Sequence, residues 1–109
     1  MSYLNLVSEE KLDSVILEIV ESVLTEILGV EPTRVLLETM KKRYHLDIQE
    51  IPQEPRIFSH ALEKILGNNH TIIEDLILEN LCLKLKVRLK MKEGYTFSDY
   101  IMGLRFESQ

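Results

Sequence analysis

Leu81-Cys82-Leu83-Lys84-Leu85-Lys86-Val87-Arg88-Leu89-Lys90-Met91-Lys92 is the stretch on which the fold turns. From Leu83 onward apolar and basic residues alternate without a break. A period of two is the mark of a strand with one dry and one wet face, whereas on a helix the same residues scatter charge around the axis. Two architectures follow. In the first, Glu93-Gly94 turns the chain and Tyr95-Thr96-Phe97 returns as a paired strand, although Glu-Gly is a weaker hairpin signal than Asn-Gly. In the second, leucine and lysine extend the preceding helix to Lys92 and Gly94 interrupts the chain. Thr96 then caps a last helix, with Asp99 completing a capping box and Phe97, Tyr100, Ile101 and Leu104 facing inward. We favour the helix-turn-helix, because an isolated hairpin is marginal unless a sheet edge, such as a dimer supplies, covers it.

Upstream the pattern is helical throughout. Ser8 is placed to cap a first helix, with Glu9, Glu10 and Asp13 in its opening turns where carboxylates suit the positive end of the dipole. Leu12, Val15, Ile16, Ile19, Val20, Val23, Leu24, Ile27 and Leu28 follow at three-and-four spacing, and Gly29 stands where a terminating glycine belongs. Pro32 suits the first position of a second helix running to about Tyr44, with Val35, Leu36, Met40 and Tyr44 on its apolar side and Lys41, Lys42 and Arg43 in its last turn. Residues 45–55 read as a folded connector pinned by Leu46, Ile48 and Ile51. Pro55 opens a third helix that buries Phe58, Leu62, Ile65 and Leu66 and stops at Gly67. After a polar turn at Asn68-Asn69, Thr71 and Glu74 have capping-box spacing ahead of a fourth helix carrying Ile72, Ile73, Leu76, Ile77, Leu81 and Leu85.

The expected fold is therefore all-α: one domain over residues 1–109, a compact bundle of four to five helices. Its C-terminal extension begins at about residue 86, and 84–106 is either a helix-turn-helix or a short β-hairpin. With 109 residues, 45% apolar and 28% charged, the chain can bury a core without covalent staples. Cys82 is the single cysteine, which excludes an internal disulfide and a cysteine-based metal site; it is expected to pack as a small apolar group. The most apolar run, 15–28, is broken by Glu18, Glu21 and Glu26, and no basic-then-apolar leader opens the sequence, so a soluble, cytoplasmic protein without membrane contact is expected.

Reactive constellations are scarce. His45, His60 and His70 form no pair at metal-ligand spacing, and His70 with Glu74 reads as a surface pair at a helix start. Ser59-His60 adjacency is not a triad signature, and Cys82 has no nearby basic partner in sequence that is also shielded by apolar residues. Gly29, Gly67, Gly94 and Gly103 each stand alone, so no phosphate-cradling loop exists. No catalytic residue, cofactor or metal is expected.

Charge is the sharper signal. The net charge is −5, yet through Met40 eight acids stand against only Lys11 and Arg34, while Lys84, Lys86, Arg88, Lys90 and Lys92 follow one another with no acid between. These five are the candidate anion- or partner-binding residues; as a strand they would extend about 27 Å, a length suited to phosphates or an acidic protein surface. The net negative charge, the lack of an arginine cluster and the absence of interleaved aromatics weigh against nucleic acid. The alternative reading holds the stripe against the acidic first helix within one molecule. The breadth of the first helix's apolar face suggests a homodimer, with Leu12, Ile16, Ile19, Val23 and Ile27 as the dimer face.

Val35-Leu36-Leu37-Glu38, Lys42-Arg43-Tyr44-His45-Leu46, Ile51-Pro52, Phe58-Ser59-His60-Ala61-Leu62-Glu63-Lys64-Ile65-Leu66-Gly67 and Ile72-Ile73-Glu74 with Leu78-Glu79-Asn80-Leu81 together resemble the small helical "Nitrosopumilus output domain" type of archaeal regulatory proteins. The resemblance spans about residues 12–85 and its motifs are structural. It implies an all-helical regulatory or output module without catalytic residues, and the stretch after Lys86 departs from it. A non-catalytic regulatory or protein–protein interaction module that self-associates is thus the first expectation, and a nucleic-acid binder using the basic stripe the second.

Overall fold

A computed structural model of the chain describes residues 8–107, with side chains as far as Arg105; the ends of the expected 1–109 domain lie outside the described residues. Helix α1 spans Glu9–Leu28. Ser8 caps it as expected, its Oγ accepting from the Lys11 N–H at 3.2 Å. Gly29 ends it at φ +96°, a conformation that a side chain would strain, and donates its N–H to Thr25. Helix α2, Val30–Tyr44, starts at once. Pro32 lies at its third position rather than its first, still within the turn whose N–H groups lack intrahelical partners. The connector contains a 3₁₀ turn at Ile48–Glu50, closed by a reciprocal box between Asp47 and Glu50. Leu46 and Ile51 are buried and Ile48 packs on the core, which pins the connector as the sequence led us to expect.

Helix α3, Pro55–Leu66, begins on its proline and stops at Gly67 with φ +67°. A 3₁₀ turn, Gly67–Asn69, leads directly into α4, His70–Leu85. Here the expected Thr71–Glu74 capping box does not form. The chain enters α4 already coiled, Thr71 Oγ1 donates to the Asn68 carbonyl at 3.1 Å, and Glu74 turns inward and is buried. Helix α5, Phe97–Glu107, completes the fold. Thr96 and Asp99 form its box: the Thr96 N–H donates to Asp99 Oδ2 at 2.9 Å and the Asp99 N–H to Thr96 Oγ1 at 3.2 Å.

Between α4 and α5 neither expectation for the alternating stretch is met. The helix does not reach Lys92, and there is no strand or hairpin among the described residues. Instead α4 ends at Lys86, which adopts a left-handed conformation at φ +56° and returns its N–H to the Cys82 carbonyl, followed by Val87 on the same carbonyl at 3.1 Å. A helical continuation would step Val87 and Leu89 around the axis by 100° per residue and carry one of them off the core. The irregular segment keeps both of them packed against it. A β-turn returns the chain, with Gly94 at φ +82° and the Tyr95 N–H donating to Lys92 at 3.1 Å. Tyr100 of α5 fastens the far end, its hydroxyl accepting from the Lys92 N–H at 3.0 Å.

The helices pack α1 against α2 and α4, and α3 against α2, α4 and α5, within 39 × 29 × 23 Å. Leu12, Ile16, Leu24, Met40, Phe58, Leu62, Ile77, Leu81, Leu85, Ile101 and Leu104 are fully buried at the centre. Several residues placed on apolar faces by periodicity are instead exposed, notably Val35, Ile65 and Ile72, because each three-and-four stripe is wider than the neighbour that covers it. No helix among the described residues is long and apolar enough to cross a membrane.

Candidate functional site

Over residues 85–90 the alternating pattern is realised in exposure, without a sheet to support it, whereas Leu83 and Met91 are exposed like the cations beside them. Leu85 is wholly buried, Val87 and Leu89 pack on the core, and Lys84, Lys86, Arg88, Lys90 and Lys92 are exposed. None of these five cations is in an ion pair among the described residues. Only Lys92 has a side-chain partner, its Nζ standing 5.1 Å from the centroid of the Tyr95 ring. The acidic first helix therefore does not meet the stripe. Its partner is Arg105 of α5, whose guanidinium bonds Asp13 at 2.6 Å and the Pro52 carbonyl at 2.9 Å and lies 3.8 Å from Glu9. Gln53 holds the other Asp13 oxygen at 3.0 Å.

Beside the cations lies a groove of about 830 Å³ between the 87–92 segment and α5. Leu89, Leu104 and Tyr100 provide its apolar lining, and Arg88, Lys90 and Lys92 its basic wall. Met102 borders it on α5 and Tyr95 at the turn, both about half exposed, while Met91, on the same segment, is 85% exposed. Sequence reading found the cations and missed Tyr95, Met102 and Gly103. Their only signal is a tyrosine just after the stripe and a glycine inside a helical pattern.

A second polar cluster sits where α3 meets the start of α4. His70 and Glu74 are not the surface pair that spacing suggested: their side chains are only 13% and 9% exposed. Ser59 donates to Glu74 Oε2, and His70 Nε2 lies 3.6 Å from Glu74 Oε1 and 3.9 Å from Glu63. Nδ1 of His70 donates to the Gly67 carbonyl at 2.9 Å, which fixes the ring. Burial raises the Glu74 carboxyl above its ordinary range, against the opposing pull of the Ser59 hydroxyl and His70. The order is hydroxyl to carboxylate to imidazole, so the group on the serine is the Glu74 carboxylate and not the imidazole, unlike a Ser-His-acid triad. His60 is exposed and stacks edge-on to Tyr44 at 6.0 Å; no group of three or more His, Cys, Asp or Glu among the described residues fits a metal ion. Cys82 is half-buried, and burial raises its thiol pKa, so it is a poor nucleophile.

The residues expected as a dimer face on the first helix lie mostly inside the molecule. Leu12, Ile16 and Val23 are buried in the molecule's own core, Ile19 packs against it, and only Ile27 is open, at 46%. α4 and α2 pack against α1. Comparison with protein-family models, curated proteins and solved structures finds no match to the chain.

Proposed function

We propose that the chain is a non-catalytic regulatory or protein–protein interaction module that works through the basic segment 84–92 and binds a negatively charged partner. The observation that carries this is five exposed cations at alternate positions, in no ion pair among the described residues, on a segment held by Leu85, Val87 and Leu89. The five like charges repel one another with no compensating ion pair among the described residues, and a partner's acids would relieve that repulsion. The regulatory role rests on the resemblance of residues 12–85 quoted above.

Nucleic acid is the second reading, favoured by Tyr95 standing among the cations as a surface on which a base stacks. One titration separates them. Labelled polyglutamate and a labelled single-stranded oligonucleotide are added to the protein at low salt, and again to a variant with Lys86→Gln, Arg88→Gln and Lys90→Gln. The proposal predicts polyglutamate binding that weakens with salt and is lost in the variant. Oligonucleotide binding alone, with a steep salt dependence, supports the second reading; retention of neither polyanion contradicts both.

A further inference from the structure

Helix α1 carries a run of acids that the fold leaves without partners. Arg105 answers Glu9 and Asp13 at its start, and Arg34 is committed to Glu31 and Glu38 of α2. Glu10, Glu18, Glu21 and Glu26 are exposed and in no ion pair among the described residues. They extend over about 24 Å of helix at 1.5 Å per residue, and Glu10, Glu18 and Glu21 fall within an arc of about 80°. Lys11 is the one cation between Glu10 and Glu26. The stripe 84–92 is the converse: its five cations are exposed, in no ion pair among the described residues, and followed by no acid before Glu93. One molecule therefore bears two extended surfaces of opposite charge that its own fold does not join.

We propose that the stripe 84–92 of one copy docks on the outward face of α1 of a second copy, so that the acidic partner of this chain is the chain itself. The inference rests on the reading of 84–92 as the working surface and names what it binds. Charge complementarity selects the occupant. The acids that the stripe needs are present on the same chain and at the same concentration, and opposed fields steer two such surfaces together and fix their orientation. Exposed ion pairs alone hold weakly, and each surface adds apolar groups to them. Leu83 and Met91 stand among the cations at 70% and 85% exposed, while Ile27 at 46% and Val30 at 71% follow Glu26. Such groups supply the apolar contact that a charged rim surrounds. A nucleic acid accounts for the cations and leaves the acids of α1 unanswered.

The test is sedimentation equilibrium of the parent over a range of concentrations, at low and raised salt, beside three charge variants. Lys84→Glu/Arg88→Glu/Lys90→Glu reverses the stripe and spares Lys86, whose backbone is left-handed. Glu18→Lys/Glu21→Lys/Glu26→Lys reverses α1. Lys41→Glu/Lys42→Glu/Arg43→Glu changes the net charge as the first does, but on α2. All these side chains are exposed, so each variant should melt cooperatively as the parent does, which circular dichroism checks. The parent should exceed its monomer mass of 12.7 kDa at low salt and return to it as salt is added. The stripe and α1 variants should each stay monomeric at about ten times the concentration that half-associates the parent, while the α2 variant associates like the parent. Mixing the stripe and α1 variants should restore association. So should combining them in one chain, which keeps the net charge of −5 because equal numbers of each sign are exchanged. A parent that is monomeric at every concentration and salt, association that both reversals leave unchanged, or a mixture that stays monomeric would each overturn the inference. A monomeric parent that binds polyglutamate through 84–92 leaves the working surface standing and gives it another acidic protein as partner. If that monomer binds only the oligonucleotide, the surface belongs to nucleic acid; if it binds neither, both readings of the stripe fall with the inference.

Discussion

Glu74 is a carboxyl that spacing places at a helix start and packing places inside the molecule, with Ser59 and His70 as its company. Burial is the largest influence on it and raises its pKa in the folded state. The consequence for stability has a definite sign. A carboxyl held above its ordinary value binds its proton more tightly folded than unfolded, so it favours the fold at low pH. That contribution is lost as pH rises from the ordinary carboxylate range through the raised value. Glu74→Gln removes the ionisation and keeps an acceptor for Ser59. Urea unfolding should find the variant more stable than the parent at neutral pH, with the difference closing in acid; a variant less stable at neutral pH would mean that the charge on Glu74 is needed by His70. Gly103 is the converse case, a glycine inside α5 where a Cβ would meet nothing within 4 Å. Gly103→Ala should add about 0.5–1 kcal/mol. At this scale the sequence reveals identity and spacing but not enclosure, which is why Glu74 was read as a cap.

Elements were the more legible level, and the reason is local chemistry. Ser8, Gly29, Pro55 and Gly67 start and stop helices through hydrogen bonds and φ values that involve only near neighbours. The Thr96–Asp99 box is of the same kind, and Thr96→Ala should cost about 1 kcal/mol in denaturant unfolding. An unchanged midpoint would show that α5 is held by its packing alone. The segment between α4 and α5 was not legible because two distant contacts decide it. The core takes Val87 and Leu89, and Tyr100 takes the Lys92 backbone, so the period-two pattern is kept over residues 85–90 without strand pairing. The five cations were found from sequence; that they carry no ion pair within the described residues, and that a groove runs beside them, follows only from where α5 lies.

For the whole molecule, the apolar stripe of α1 belongs to the interior, and the acidic surface beside it is met by Arg105, ninety-two residues from Asp13. Sequence periodicity shows that such a stripe must be covered but not by what, so a second subunit and α4 were equally good covers until the packing was known. Val23→Glu should therefore unfold the chain, whereas Ile27→Glu should change stability by no more than about 0.5 kcal/mol. If Val23→Glu instead yields a folded protein of halved sedimentation mass, the stripe lies at a subunit contact. The central claim, that 84–92 is the working surface, is tested most directly by fluorescence anisotropy of labelled polyglutamate at low and raised salt. The titration compares the parent with two variants of equal charge change, Lys86→Gln/Arg88→Gln/Lys90→Gln on the segment and Lys41→Gln/Lys42→Gln/Arg43→Gln on α2. The account predicts salt-sensitive binding that the first variant loses and the second keeps; equal loss in both, or no binding by the parent, would contradict it.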